Sequence, residues 1–311
     1  MYKNSLNPIE TTKLYGLDKY FLFYHNLYKI GKFPKISLIS GKKGLGKFTM
    51  INHLMNAFFD EKNYSFNEHL ISKDSLFNES ILSNKNQNVN YIKNNEGQRL
   101  KIEDIRNLKK IIQKSTLNNL PRFFVFDDVE TISLNCANAL LKIIEEPTRN
   151  NFFILINNEQ SNLLETLSSR CIETKIFINE SERLSSIRNL INLYDLHPLV
   201  NYKETKITPG NFFKFNIICK ENKIDDSLNY ISKINLLLEL YKKSKDYTFI
   251  NLAKFFTEIK YYKLSLNNIE QIMKIENIKN ETIRNINNFV LYNLNIKTII
   301  NVISSQFDHV K

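Results

Sequence analysis

The chain is poor in residues that build covalent or metal frameworks. Its 311 residues hold three cysteines, Cys136, Cys171 and Cys219, far apart and without a CxxC spacing. A disulfide scaffold and a cysteine-based zinc module are therefore excluded, and no zinc is expected. The five histidines do not cluster either. No apolar run approaches the length of a bilayer span, and the first residues lack the apolar core of a signal peptide. No membrane is expected among the partners, and a reducing cytoplasm is the simplest address. Proline is sparse, and Pro121 and Pro147 fall between elements, where a residue without an N–H belongs. Glycine is scarce too, yet three of the seven glycines lie between Gly41 and Gly46.

What is present suffices for two or three domains with cores of their own, with 42% hydrophobic and 24% charged residues. The net charge of +11 favours a polyanionic partner such as nucleic acid. Enrichment in Lys, Asn and Ile throughout accounts for the same charge by genomic base composition, and both readings stand.

From Leu14 to about Ile178, helix-like and strand-like segments alternate as in a parallel α/β domain. Helices are predicted over Leu17 to Ile30, from the glycine loop through Phe59, over Ile102 to Lys114 and over Asn135 to Glu146. Strands are predicted over Ile36 to Ser40, Val89 to Ile92, Arg122 to Phe126 and Phe152 to Ile156. Residues 60 to 88 read as a loop with one short helix. In the Asn135 helix, Leu134, Ala137, Leu140, Leu141 and Ile144 recur at three- and four-residue steps and define one face. Beyond Asn179 the strand signal ends. Leu228, Ile231, Ile234 and Leu238 line one amphipathic helix, and Ile283, Ile286, Val290 and Leu294 another. The expected domains are an α/β nucleotide-binding-like domain over 1–178, a small helical lid over 179–220 and a helical domain over 221–311.

Gly41 to Thr49 read Gly-Lys-Lys-Gly-Leu-Gly-Lys-Phe-Thr, a phosphate-binding loop between strand and helix. Glycines let backbone N–H groups approach an anionic phosphate, and the helix adds the positive end of its dipole. Gly41, Gly44, Gly46, Lys47 and Thr49 are the candidate nucleotide-binding residues of this loop. Phe48 stands where the pattern asks for the Mg²⁺-holding hydroxyl, and Thr49 is one residue too late. About eighty residues on, Arg122 to Phe126 end in Asp127 and Asp128. Asp127 is placed to hold Mg²⁺, and Asp128 stands where a longer glutamate would polarise water. Its missing methylene impairs hydrolysis more than binding. The plain alternatives are a glycine turn and two solvated acids at a strand end.

A third constellation comprises Asn138-Ala139-Leu140-Leu141-Lys142-Ile143-Ile144-Glu145-Glu146-Pro147, then Phe153 to Asn158, then Ser169-Arg170-Cys171. This run closely resembles AAA+ clamp-loader subunits. The resemblance covers most of the chain, is strongest from Phe33 to Cys171 and is faint in the C-terminal helices. It implies a P-loop NTPase (AAA+) domain, a helical lid and an all-α C-terminal collar that oligomerises. It makes Asn158 the sensor residue and Arg170 an arginine finger that reaches ATP on a neighbouring subunit. ATP with Mg²⁺ is the implied cofactor. The implied partners are the other loader subunits of gamma/tau and delta type, the sliding clamp and primer-template DNA. Catalytically active members keep an intact P-loop, a zinc module and an Asp-Glu pair, all altered or absent here. Thr208-Pro209-Gly210-Asn211 resembles the start of the sensor 2 helix without its arginine.

Those losses favour a mainly structural member of the loader. An autonomous ATPase using Thr49 and Asp128 is the rival, and a stand-alone DNA-binding protein is the second. For Arg170 the plain alternative is an ordinary salt-bridging arginine, and for Cys171 a small buried hydrophobe.

Overall fold

The computed structural model describes residues 7–92, 102–112, 120–145 and 150–308. Contacts divide the chain into two compact units, residues 1–197 with 206–214, and residues 198–205 with 215–311.

In the first unit, α1 (Asp18–Lys29) leads to β1 (Ile36–Ser40) and α2 (Lys47–Phe59), then β2 (Tyr64–Ser65), β3 (Leu70–Ile71) and α3 (Leu76–Leu82). After these come β4 (Val89–Ile92), α4 (Ile102–Ile112), β5 (Arg122–Phe126), α5 (Leu134–Ile144), β6 (Asn151–Asn157), α6 (Glu165–Ser168), β7 (Ile172–Lys175) and α7 (Glu180–Tyr194). The main sheet has the order β4-β5-β6-β1-β7, and every pairing in it is parallel.

A parallel sheet is covered on both faces, so its strands read as unbroken apolar runs. Alternation along the strands sorts the residues. Ile39, Phe123, Val125, Ile154 and Ile156 share one core with Phe21 of α1 and Ile51 and Leu54 of α2. Leu38, Phe124, Phe126, Phe153 and Leu155 share another with Ile105 of α4 and Leu140 and Ile144 of α5. Strand order also decides the site. β6 lies between β1 and β5, so its end emerges between the glycine loop and the two aspartates.

Three details depart from the sequence pattern. Leu134, assigned to the buried face of α5, is 60% exposed because it is the first helical residue, ahead of the turn that meets the sheet. Residues 60–88 contain α3 as expected, but also the β2–β3 hairpin, extended by Lys13 pairing with Leu70. Its two-residue strands are too short for alternation to register. The ends predicted for two helices, Lys114 in one and Glu146 in the other, lie outside the described residues, as does Pro147.

The second unit is helical. It contains most of α8 (Pro209–Glu221), then α9 (Tyr230–Ser244), α10 (Tyr247–Asn267), α11 (Ile272–Leu291) and α12 (Ile296–Asp308). α9 packs on α10, α10 on α11, α11 on α12, and α12 returns to α9. Ile234 and Leu238 are buried as expected, whereas Leu228 precedes its helix. In α11 the buried stripe is Ile275, Thr282, Ile286 and Phe289, rotated from the predicted one. The buried Thr282 explains the shift: its hydroxyl is 3.2 Å from the Tyr261 hydroxyl on α10, a polar pair that an apolar pattern does not count.

Candidate functional site

The glycine loop leaves β1 with the Gly41 N–H donating to the Asn157 carbonyl at 3.2 Å. Gly46, immediately before α2, adopts φ +91°, which an L side chain rarely takes. Gly44 has φ +85° and also lacks room. A Cβ there would lie 2.4 Å from Thr208 Oγ1 and 2.8 Å from the Asn211 N. The loop thus receives the N-terminal end of α8. Thr208 Oγ1 donates to the Lys43 carbonyl at 2.8 Å, and the Gly210 N–H donates to the Gly44 carbonyl at 2.8 Å.

Lys47 turns back into its own loop. Its Nζ donates to the Gly41 carbonyl at 2.5 Å and the Lys42 carbonyl at 2.9 Å. The carbonyls of Gly41, Lys42, Lys43 and Gly44 thus all accept hydrogen bonds from within the chain. Lys47 is 2% exposed. Burial pulls its ammonium down to about 8, partly opposed by the carboxylates of Asp127, Glu130, Glu159 and Asp128.

Phe48 is 5% exposed and belongs to the core, its ring centroid 5.0 Å from that of Tyr91 on β4. The Tyr91 hydroxyl in turn donates to Asn52 Oδ1 on α2 at 2.9 Å. Phe48 therefore ties the first turn of α2 to the sheet, in place of a hydroxyl facing the loop. Thr49 is half buried one residue further along α2.

The acids at the end of β5 form a network. Asn158 Nδ2 donates to Asp127 Oδ1 at 2.9 Å and to Asp128 Oδ1 at 2.8 Å. Gln160 Nε2 donates to Asp128 Oδ1 at 2.7 Å and Glu130 Oε1 at 3.2 Å, while the Asn158 N–H donates to Glu130 Oε2 at 3.1 Å. Asp128 has φ +54°, and its carboxylate receives Lys43 Nζ from the glycine loop at 3.1 and 3.2 Å. Burial and the neighbouring Asp128 raise the Asp127 carboxyl, opposed by the Asn158 hydrogen bond and Lys43.

This donor set does not suit Mg²⁺, a hard cation that takes oxygen ligands in octahedral array. Phe48 offers no oxygen, and an ammonium already lies on Asp128. Among the described residues, no group of three or more His, Cys, Asp or Glu is arranged to hold a metal.

Arg170 is apart from this network. It lies in the turn after α6, where its Nε donates to Glu145 Oε1 at 2.9 Å and its Nη1 to the Thr166 carbonyl at 3.1 Å. Its side chain is 42% exposed. Cys171 is partly buried against the second core, and burial raises its thiol to about 11.

The loop residues, Lys47, Asp127, Asp128 and Asn158 are thus brought into one region, and Arg170 is not. Lys43, Glu130, Gln160 and Glu145 were not singled out from the sequence. Lys43 occupies a variable position of the loop pattern, and Glu130 and Gln160 belong to no motif. Only Glu145 carried a signal, as a member of the Glu-Glu-Pro run.

A parallel sheet feeding a glycine loop into a helix, with acids at the end of one strand and a polar residue at the end of the strand between, defines a domain of P-loop type. The family model described as DNA polymerase III, delta subunit, matches residues 18–179. The chain belongs to this family, as its resemblance to clamp-loader subunits implied. It is 25% identical over 158 residues to the DNA polymerase III subunit gamma of Buchnera aphidicola subsp. Acyrthosiphon pisum, covering 50% of this chain and 42% of that protein. It is 26% identical over 150 residues to the subunit delta′ of Bacillus subtilis, covering 48% of this chain and 44% of that protein. These matches span less than half the length of those relatives. Among solved structures, a gamma subunit-related protein of Thermotoga maritima aligns with 17% identity and a TM-score of 0.49, covering 93% of this chain and 99% of that one. Among the described residues, no helix is long and apolar enough to cross a membrane.

Proposed function

We propose that the chain is a delta prime type subunit of a DNA polymerase III clamp loader, mainly structural, which acts on a neighbour's nucleotide through Arg170. The observation that carries this reading is the commitment of its own P-loop cations. Lys47 is buried on the loop carbonyls and Lys43 pairs with Asp128, while Arg170, paired with Glu145 and 42% exposed, lies apart from that loop. Turnover on its own loop would require both lysines to leave these partners and a ligand to replace the hydroxyl absent at Phe48. In trans, Arg170 places a fixed cation beside a neighbour's terminal phosphate, where negative charge develops during phosphoryl transfer.

On this reading residues 1–178 form the AAA+ domain, 179–220 the lid and 221–311 the collar that joins the other subunits. Gamma/tau and delta subunits are the partners. Through the assembly, the sliding clamp and primer-template DNA are partners too.

The test is reconstitution with the cognate loader subunits. Arg170→Ala is expected to leave folding and assembly intact and to lower the DNA-stimulated ATPase at the site it serves by at least about 10³-fold, the lower end of what arginine fingers supply. An unchanged rate overturns the role. The gamma-named relatives favour a second reading, an active ATPase subunit, and Lys47-dependent turnover by the purified chain alone would establish it.

A further inference from the structure

The guanidinium of Arg170 is gripped along one edge. Nε donates to Glu145 Oε1 at 2.9 Å, and Nη2 lies 2.9 Å from the same oxygen. Nη1 donates to the Thr166 carbonyl at 3.1 Å. A guanidinium carries five N–H groups in a planar fork. These contacts engage three nitrogens and leave one N–H on each terminal nitrogen, with no acceptor for either among the described residues. The two terminal nitrogens form the end of the fork, the edge that can meet two oxygens of a phosphate at once.

Both halves of the grip stand on packed backbone. Glu145 caps α5, its N–H donating to the Leu141 carbonyl at 2.9 Å, one residue after the fully buried Ile144. Arg170 follows the buried Leu167, whose carbonyl accepts from the Arg170 N–H at 3.3 Å. Ile144 and Leu167 lie in the same core. The glutamate side chain is 45% exposed and the arginine 42%, so the pair adds little to stability. Its effect is on freedom: an unrestrained arginine samples many rotamers, and these three contacts favour one orientation.

We propose that Glu145 is the positioning residue of Arg170, orienting the free end of its guanidinium toward the terminal phosphate of a nucleotide held by the neighbouring subunit. This rests on the trans-acting role of Arg170 given above. Glu145 touches no substrate. It acts before the neighbour arrives, by removing rotamers that would otherwise be lost in the transition state.

The experiment uses the full chain in the reconstituted loader, with complex mass and circular dichroism confirming assembly and folding of each variant. Glu145→Ala is expected to lower kcat of the DNA-stimulated ATPase about three- to tenfold with KM unchanged, an effect of orientation and not of nucleotide affinity. Glu145→Gln is expected to restore most of the rate, because its amide oxygen still accepts from Nε and Nη2. Adding Glu145→Ala to Arg170→Ala is expected to cause no further loss.

Four results overturn the positioning role. The first is a Glu145→Ala rate equal to or above wild type while Arg170→Ala is impaired, which leaves the proposed function standing. The second is equal loss in Glu145→Gln and Glu145→Ala, and the third is a further loss in the double variant. The fourth, an unchanged Arg170→Ala rate, removes the proposed function as well.

Discussion

Restoring the P-loop pattern by Phe48→Thr is expected to weaken the protein rather than create an ATPase. The Phe48 ring is 5% exposed, packs against Tyr91 and belongs to the core shared by α1, α2 and the sheet. Truncating a buried phenylalanine costs about 3–5 kcal/mol. Threonine refills a fraction of that volume but brings a hydroxyl into apolar surroundings, so about 3 kcal/mol is the expected loss. In a unit of roughly two hundred residues each kcal/mol lowers Tm by about 2–4 °C, which gives a fall of about 6–12 °C. Calorimetry suits a chain with two compact units, because it resolves the transition containing the α/β unit; the chain has no tryptophan to report on it. A fall below about 2 °C would refute the reasoning. So would Lys47-dependent ATP turnover gained by the variant, because the lysine contacts and the Gly44–Gly210 hydrogen bond would remain in place.

Two further outcomes follow from the same loop. Lys47 has a folded value near 8 against 10.5 in the free side chain, so folding expels its proton between those values. Its charged form costs stability at neutral pH, and that cost is relieved as pH rises; wild type should gain about 1–2 kcal/mol on Lys47→Met between pH 8 and 9.5 in urea titrations, and a constant difference would contradict the burial. The two turn glycines should separate in cost. Gly46→Ala meets nothing nearer than Leu17 Cδ1 at 3.6 Å and pays for backbone strain alone, about 1 kcal/mol. Gly44→Ala also collides with Thr208 and Asn211 and should cost at least twice as much, with loss of amide protection at Gly210; equal midpoints would argue against the docked α8 terminus.

Much of the fold was legible because burial on both faces of a parallel sheet leaves an unbroken apolar run, as in Phe123 to Phe126 and Phe152 to Ile156. Amphipathic helices showed themselves by spacing, but the spacing carries no depth. Leu134 matches the face of α5 and is exposed, and Thr282 matches no apolar stripe and is buried against Tyr261. The candidate site was legible where a local motif names its residues, as for Gly41 to Lys47, or where resemblance did, as for Asn158; Arg170, which the resemblance also named, lies apart from it. Lys43, Gln160 and Glu130 were not, since each meets its partner only after strands distant in sequence become neighbours.

The sequence by itself determined the glycine loop, its missing hydroxyl, the shortened acid at Asp128 and the family, because those reside in the identity and order of neighbouring residues. It left Phe48 as a defect whose meaning was open. Only the tertiary structure decided that the ring is a core residue, that Lys43 spans 85 positions to reach Asp128, and that Glu145 grips Arg170 across 25. The physical reason is the placement of β6 between β1 and β5, and of α5 beside α6. Packing, not sequence proximity, sets which charges meet.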